Sequence, residues 1–374
     1  MKIKSFIIAI SLGIFTTSCA QQKIKEIAIE KLDKPYQYEV VVPELETPWG
    51  MAFLPSGGIL ITEKRGELLL VENGKTTSIQ NVPNVSYRGQ GGLLDVELHP
   101  NFNENHWVYL SYASPEGEET GAHTAIARGQ LKGNSLENFE VLYKASPNTR
   151  GGNHFGSRIE FDNEGYLYFT IGERDIRDVN PQNITRDGGK VYRLHDDGSI
   201  PKDNPFVNTP NAKPAIYSYG HRNPQGMAIH PKTGKIWTGE HGPQGGDEIN
   251  EIRPGNNYGW PVICYGVNYG GAPITDKTHE DGMEQPIYYW VPSIAPCGID
   301  FVTSDKYPEW QNSLLVSSLK FQYLEFLKLE NDRVVKREKI LEDIGRVRCV
   351  RQAPDGYVYV AVEGVGIVKI IPKN

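Results

Sequence analysis

Hydrophobic and polar residues alternate with a period of two in six separate segments of this chain. Each segment holds a glycine or small residue, an apolar alternation, a turn with proline, aspartate or asparagine, and then a second β-rich stretch. The six segments begin at Trp49, Gly92, Gly156, Gly226, Gly298 and Val347. Alternation around a D-G or P-x-G turn is typical of β-hairpins. The pattern therefore predicts a chain built mainly of strands.

The spacing of these segments predicts the architecture. Their starts lie 43 to 72 residues apart, and six repeats of about four strands each are what a six-bladed β-propeller needs. A pair of β-sandwich domains would also be rich in strands, but it would not explain a repeated template. We therefore predict an all-β fold over residues 39–374, a six-bladed β-propeller with four-stranded antiparallel blades.

The N-terminal residues have the features of an export signal. Lys2 and Lys4 precede an apolar run at residues 6–15, which is too short to span a bilayer. Small residues then lead to Cys19, as in bacterial lipoproteins, in which the cysteine is lipidated. We predict a signal peptide at 1–18, a tether at 19–38 and an exported, periplasmic or cell-surface protein whose only membrane contact is the lipid on Cys19. The alternative is an ordinary signal peptide with a chance cysteine.

Composition narrows the range of partners and of metal sites. The 374 residues include 39 glycines and 20 tyrosines, and the net charge is −7 with no cluster of lysine and arginine. This charge argues against a nucleic-acid partner. Cys264, Cys297 and Cys349 are spaced unlike any zinc motif. They form either one disulfide and a free thiol or three buried thiols.

Candidate chemistry is concentrated between Tyr219 and Pro261, where arginine, amides and carboxylates alternate with glycines. Such residues are costly to bury unless something bonds them. Propellers bind ligands on one face, through loops that meet over the central channel. Polar residues recur near the entries of successive repeats, and we expect them to converge on one axial pocket. The candidates are Gln90, His154, Arg222, Asn223, Ser293, Lys320, Arg346 and Arg348.

Five motifs carry a resemblance to a known family. They are R-G-Q-G-G-L-L-D-V-E-L-H-P from Arg88, G-N-H-F-G-S-R from Gly152, G-H-R-N-P-Q-G from Gly220, E-H-G-P-Q-G-G-D-E-I-N from Glu240 and N-Y-G-W-P from Asn257. In this order they resemble the aldose sugar dehydrogenases that use pyrroloquinoline quinone (PQQ), relatives of the soluble PQQ glucose dehydrogenases. The resemblance covers roughly residues 45–372, and the third and fourth motifs together are highly specific.

The resemblance implies a role for each candidate. His154 would be the general base that takes the proton of the anomeric hydroxyl, while hydride moves to the quinone. Arg222, supported by Asn223, would polarise the quinone oxygen and bind the cofactor. The other residues implied to bind PQQ are Gln90, Ser293, Lys320, Arg346 and Arg348. Three of these are cations, which suit the three carboxylates of PQQ.

The resemblance also implies two calcium ions. Backbone carbonyls of Gly242 and Pro243 would hold one Ca²⁺ at the cofactor, and a second Ca²⁺ would lie near Glu248 and Tyr258. Oxygen ligands of this kind suit a hard cation. Aldose oxidation to the lactone is therefore the predicted activity, with an electron acceptor that the sequence does not identify.

Two positions depart from the family pattern. Asn153 precedes the implied base where the glucose enzymes carry an aspartate, and an amide cannot stabilise an imidazolium as a carboxylate does. Ser293 replaces a threonine. Two other functions would suit a propeller, namely a non-catalytic protein that binds sugar or protein at the cell surface, and a metal-dependent lactonase without PQQ. Neither needs the three cations Lys320, Arg346 and Arg348 around one pocket.

Overall fold

The fold is known from a computed structural model that describes residues 36–117 and 119–373. Cys19, the predicted signal peptide and most of the predicted tether lie outside the described residues. Twenty-four strands form six antiparallel sheets of four strands each, which confirms the predicted six-bladed propeller. The only helix in the described ranges is the short α1, Phe102–Asn105. None of their helices is long and apolar enough to cross a membrane.

The strands follow the chain blade by blade, from the central axis outward, except for the first. Strand β1 is Tyr36–Pro43. Blade one contains β2 Pro48–Phe53, β3 Ile59–Glu63, β4 Glu67–Glu72 and β5 Lys75–Ser78. Blade two contains β6 Leu93–Leu98, β7 Trp107–Ser114, β8 His123–Lys132 and β9 Ser135–Lys144. Blade three contains β10 Ile159–Phe161, β11 Leu167–Ile171, β12 Lys190–Leu194 and β13 Ile216–Tyr219.

The remaining blades repeat this order. Blade four contains β14 Pro224–Ile229, β15 Ile236–Glu240, β16 Asp247–Glu251 and β17 Tyr288–Trp290. Blade five contains β18 Pro296–Val302, β19 Ser313–Ser318, β20 Tyr323–Glu330 and β21 Arg333–Ile340. Blade six contains β22 Val347–Gln352, β23 Val358–Val362 and β24 Gly366–Pro372, and β1 is its fourth strand. Each of the six sequence segments thus begins within about three residues of the start of the inner strand of one blade.

The hydrophobic core lies between neighbouring blades rather than inside one sheet. Strand β11 is buried at all five positions, because both of its faces are covered by adjacent blades. Leu60 and Leu68 of blade one, for example, share a cluster with Leu110 and Ala125 of blade two. Burial on both faces also explains why β23, the second strand of blade six, is apolar along its whole length.

The ring is closed by a strand from the N-terminal end. Strand β1 pairs with β24 from Tyr36↔Pro372 to Pro43↔Gly366, with one bulge near Val42. Blade six therefore combines both ends of the described chain, and β1 begins inside the segment that the sequence assigned to the tether. The closure leaves β24 paired on both sides, so that it presents no open edge.

A buried arginine occupies the axis. The Arg158 guanidinium is almost fully buried beside the inner strands and pairs with Asp95 at 2.8 Å. Its contacts reach one residue from each of the other five blades, namely the Trp49 ring at 4.3 Å, Asp95, the Gln225 carbonyl at 2.9 Å, Cys297 and Cys349. One side chain thereby links all six blades.

The three cysteines that the structure describes are free and buried. This settles the choice left open by the sequence in favour of three thiols. Cys297 and Cys349 lie beside the guanidinium of Arg158, with sulfur-to-nitrogen distances of 3.9 and 3.7 Å. Burial raises the pKa of Cys349 to about 11, so this thiol is a poor nucleophile at neutral pH.

Candidate active site

A cavity of about 680 Å³ opens on the face of the propeller where the inner strands begin. Blades two, three and four contribute Gln90, His154 and Arg222 to its wall, together with Pro243 and Trp260 from loops that follow. Three of the eight candidate residues, which are far apart in the chain, thus lie in the wall of one cavity. The cavity combines polar side chains with apolar surface, an arrangement typical of small-molecule sites.

His154 is held in an unusual backbone conformation at the edge of this cavity. Its φ is +54°, a left-handed value that is uncommon for residues other than glycine. Its backbone N–H donates to the side-chain oxygen of Gln90 at 2.9 Å. Strained residues of this kind occur where surrounding contacts fix them, often at active sites. Gln90 is one such contact, and its oxygen also lies 3.4 Å from the amide nitrogen of buried Asn223.

The imidazole of His154 is oriented by carboxylates. Nδ1 lies 2.5 Å from a carboxylate oxygen of Glu173 and 3.6 Å from one of Asp175. Glu173 is buried, and its second oxygen has no hydrogen-bond partner. An ionised carboxylate accepts a hydrogen bond from Nδ1–H, which leaves Nε2 of the neutral ring as an acceptor. This tautomer is the one a general base requires.

Sequence reasoning missed Glu173 and Asp175. They follow strand β11, nineteen and twenty-one residues after His154, and only the pairing of β10 with β11 brings them to it. Asn153, which stands where the glucose enzymes carry an aspartate, lies 3.4 Å from the carboxylate of Asp175. Position 153 lacks the carboxylate that the glucose enzymes have beside the base. In this chain the residues that follow β11 place carboxylates beside His154 instead. The motif I-G-E-R-D at the end of a buried strand was the available signal.

Arg222 occupies the blade-four side of the cavity. Its backbone N–H donates to Glu240 at 2.9 Å, and its Nη1 donates to the carbonyl of His241 at 3.1 Å. The guanidinium lies 5.4 Å from the centre of the Trp260 ring. A guanidinium has five N–H donors, so donors remain for a ligand oxygen. Nε2 of half-buried His241 is itself buried and has no partner, and burial, together with Arg222, holds the pKa of His241 well below its usual range.

The three cations of blades five and six do not line the cavity. Arg346 and Arg348 bind the two oxygens of one carboxylate, that of Glu363, at 2.7 and 2.5 Å. Lys320 is exposed, and its ammonium lies 5.1 Å above the ring of Phe321. Both arginines nevertheless contribute to lowering the pKa of His241. They therefore place positive charge near the Arg222 side of the cavity.

Comparison with known proteins identifies the family of this chain. The model of the glucose / sorbosone dehydrogenase family matches residues 45–368. The chain belongs to that family. It is 43% identical over 346 residues to the aldose sugar dehydrogenase YliI of Escherichia coli (strain K12), covering 90% of this chain and 93% of the relative.

Solved structures of the family superpose closely. The soluble aldose sugar dehydrogenase of Escherichia coli in the apo-form has 39% identity and a TM-score of 0.86, covering 91% of this chain and 100% of that one. The PQQ-bound aldose sugar dehydrogenase of Streptomyces coelicolor has 26% identity and a TM-score of 0.73, with the same coverage. The propeller is therefore the architecture shared by this family.

The loop at 242–246 is shaped by one buried carboxylate. Asp247 accepts hydrogen bonds from the backbone N–H groups of Gly242 at 2.7 Å, Ile294 at 2.6 Å and Ala295 at 2.7 Å. The hydroxyl of Ser293 lies 3.0 Å from both the Pro243 carbonyl and Asp247. Burial raises the pKa of Asp247 to about 6. The loop carrying Gly242 and Pro243 is thus fixed against blade five before any ligand binds.

A second acidic pocket lies behind this loop. Loss of water contact and the neighbouring carboxylate of buried Glu240 raise the pKa of Glu248, which is half-buried. The amide nitrogen of Asn250 bridges them at 3.0 and 3.1 Å, and its oxygen is buried without a partner. The Tyr258 hydroxyl is directed elsewhere and donates to the Glu251 carbonyl at 2.6 Å. Two acids and an unpaired oxygen form a donor set that suits a divalent cation.

Proposed function

We propose that this protein oxidises aldoses at the anomeric carbon to lactones, with PQQ as cofactor and Ca²⁺ at the cofactor site. Membership of the glucose / sorbosone dehydrogenase family supports sugar oxidation, and a PQQ-bound aldose sugar dehydrogenase among the structural relatives supports this cofactor. The observation that carries the proposal is the pairing of His154 with buried Glu173 in the wall of the cavity that also holds Arg222.

The donors around the cavity fit an anionic quinone. Arg222 lies in its wall, and the unpartnered Nε2 of His241 is buried beside Arg222. Arg346, Arg348 and Lys320 would bind carboxylates of PQQ, the arginines by exchanging or sharing their bonds to Glu363. Gln90, Asn223 and Ser293 would provide neutral hydrogen bonds. When bound, PQQ supplies an acceptor for the two electrons that leave the sugar as hydride.

The residues of the chain supply the proton chemistry. Oxidation of an anomeric carbon releases one hydride from carbon and one proton from the hydroxyl. His154 takes that proton at Nε2, and the imidazolium that forms is stabilised at Nδ1 by Glu173, with Asp175 close by. Arg222 places positive charge in the same cavity, where negative charge develops on the acceptor.

Calcium is proposed at two places. Carbonyls of Gly242 and Pro243 would hold one ion in the loop fixed by Asp247. Glu248 and its neighbour Glu240 would neutralise the second, near Tyr258. Both sets consist of oxygen ligands, which Ca²⁺ prefers.

Reconstitution tests the proposal. The purified PQQ-free protein is mixed with PQQ and Ca²⁺, and reduction of a redox dye is followed with a panel of aldoses, with His154→Gln as the matched variant. We expect a spectral change on adding PQQ, dye reduction with aldoses, and a loss of about 100-fold or more in kcat for His154→Gln. No spectral change with PQQ would refute the cofactor. Lactone hydrolysis without PQQ would indicate the lactonase instead, and sugar binding without turnover would indicate a binding protein.

Export and lipidation at Cys19 are proposed on the N-terminal sequence. Radioactive palmitate should label the natural protein and not the Cys19→Ala variant. Label in both, or in neither, would exclude a lipid on Cys19.

A further inference from the structure

Much of the cavity wall is formed by a segment without strands. Residues 172–189 connect β11 to β12, and their first part contributes Glu173, Asp175, Arg177 and Asp178 to the cavity. Backbone groups outside sheets still need hydrogen-bond partners when they are buried. The segment that orients His154 must therefore be held by something other than a strand ladder.

A buried lysine supplies that support. Lys190, the first residue of β12, is fully buried. Its ammonium donates to the backbone carbonyls of Asn180, Asn183 at 3.0 Å and Gly188 at 2.8 Å. An ammonium has three N–H donors, so all three are used on one segment. The ammonium of Lys190 thus lies at the centre of the 172–189 segment and is bound by its carbonyl oxygens, as a monovalent cation would be.

The carbonyl cage is connected to the carboxylate that orients the base. The side-chain nitrogen of Asn180 donates to the Glu173 carbonyl at 3.1 Å, and its backbone N–H donates to Ile176 at 3.0 Å. Glu173 in turn holds Nδ1 of His154. A continuous path of hydrogen bonds therefore runs from Lys190 through Asn180 and Glu173 to His154.

We propose that Lys190 is a positioning residue, whose buried ammonium fixes the cavity wall so that Glu173 keeps its bond to His154. The expected effect of Lys190 on kcat rests on the proposed function. Its expected effect on the bond between Glu173 and His154 does not. Burial lowers the pKa of Lys190 to about 7, while neighbouring Asp187 opposes that shift and Arg186 adds to it. A neutral amine has only two N–H donors for three carbonyls, so the charged form is the one that completes the cage.

Two substitutions separate this role from general stability. Lys190→Met removes the ammonium and keeps most of the side-chain volume. Lys213→Met is the matched control, because Lys213 lies against the same segment but binds the Asp187 carboxylate at 2.9 Å instead of these carbonyls. We expect kcat to fall about tenfold or more in Lys190→Met, with KM within about twofold, and to change little in Lys213→Met.

A second measurement does not use PQQ or sugar. The Nδ1–H proton of His154 is followed by NMR in the PQQ-free protein. Its signal lies downfield while Nδ1–H donates to Glu173, and we expect it to move upfield or to vanish by exchange with water in Lys190→Met because the carboxylate partner is displaced. In Lys190→Ala, added methylammonium should enter the cage and restore both this signal and kcat. If the unsubstituted protein lacks dehydrogenase activity, the Nδ1–H signal still tests Lys190.

Several results would overturn the inference. They are a folded Lys190→Met with an unchanged Nδ1–H signal of His154 and an unchanged kcat, an equal loss of kcat in Lys213→Met, or no response of Lys190→Ala to methylammonium. If Lys190→Met does not fold, Asn180→Ala breaks the same path one bond further on. An unchanged Nδ1–H signal of His154 in folded Asn180→Ala would then refute the path.

Discussion

At the scale of single residues, the base depends on partners that lie far from it in sequence. Nδ1–H of His154 donates the bond that orients the ring to Glu173, and the backbone of His154 is fixed by Gln90 of the preceding blade. The neighbouring Asn153 contributes no charge. A carboxylate at Nδ1 both selects the tautomer and stabilises the imidazolium. The proton transfer attributed to His154 therefore depends on residues of blades two and three.

The first prediction concerns Glu173. Glu173→Gln keeps the size of the side chain but removes the negative charge that stabilises the imidazolium, so kcat should fall by about 100-fold with PQQ affinity unchanged. Steady-state kinetics at saturating PQQ measure kcat, and a titration of the protein with PQQ measures the affinity for the cofactor. Asp178→Asn is the control, because Asp178 lines the same cavity but pairs with Arg177. Full activity in Glu173→Gln would contradict the orienting role.

The second prediction concerns the axis. Arg158→Met leaves Asp95 buried without its partner, and breaking a buried ion pair on one side costs about 3–5 kcal/mol. Urea unfolding should show this loss in the free energy of unfolding. The double variant Arg158→Met/Asp95→Leu removes both charges and should recover part of it. A loss below about 1 kcal/mol in the single variant would show that Arg158 does not hold the blades together.

At the scale of elements, the propeller is completed by β1. Its residues pair with β24 over the full length of that strand, and Val42 is buried among residues of blades one and six. Closure joins the first and last blades, which otherwise contact each other only through side chains and loops. The hairpin repeats of blades one to five need no such partner from the other end of the chain.

The third prediction tests this closure. A chain that begins at Glu44 lacks β1, exposes the edge of β24 and should lose several kcal/mol of stability and tend to aggregate. A chain that begins at Tyr36 keeps β1 and should unfold like the full chain. Thermal unfolding and gel filtration distinguish the two. Equal midpoints of thermal unfolding for the two chains would show that the ring does not need β1 as the fourth strand of blade six.

At the scale of the whole molecule, charge is placed at both ends of the central axis. The cavity lies where the inner strands begin, whereas Glu97, Glu160 and Asp300 lie toward their other ends. There they surround the single Arg351, which binds Glu160 and lies 3.2 Å from Glu97. Burial, only partly offset by Arg351, raises the pKa of Glu97 to about 7 and that of Glu160 to about 8.

The fourth prediction follows from these shifts. The folded state binds more protons than the unfolded state between the ordinary glutamate pKa of about 4.3 and the raised values. The stability contributed by these two groups is therefore fully present below about pH 4, decreases as pH rises above that value, and is lost once pH has risen through about 7 to 8. Urea unfolding from pH 5 to pH 8 should show a fall of about 1 kcal/mol per pH unit for each group that is protonated only in the folded state. In Glu97→Gln/Glu160→Gln this fall should be smaller, and an unchanged slope would contradict the assignment.

The fold was predictable because its signal is local. Alternation of period two is set by the pleat of each strand. Turn residues such as Asp355-Gly356 are set by the local geometry of a hairpin, and this pattern recurs from blade to blade. Candidate residues such as Gln90, His154 and Arg222 were found by motif, and the structure brings these three to one cavity. The cations Arg346 and Arg348 were expected to bind carboxylates of PQQ, and in the structure they bind the carboxylate of Glu363.

The sequence by itself determined six blades, their inner strands and the residues of the family motifs, because these depend on short-range periodicity and on residue identity. Only the tertiary structure decided that β1 completes blade six and that Arg158 contacts all six blades. It also decided that Glu173 binds Nδ1 of His154 and that Lys190 binds the segment that carries Glu173. Those contacts join residues distant in the chain. They exist only once the ring has closed and brought the inner strands around one axis.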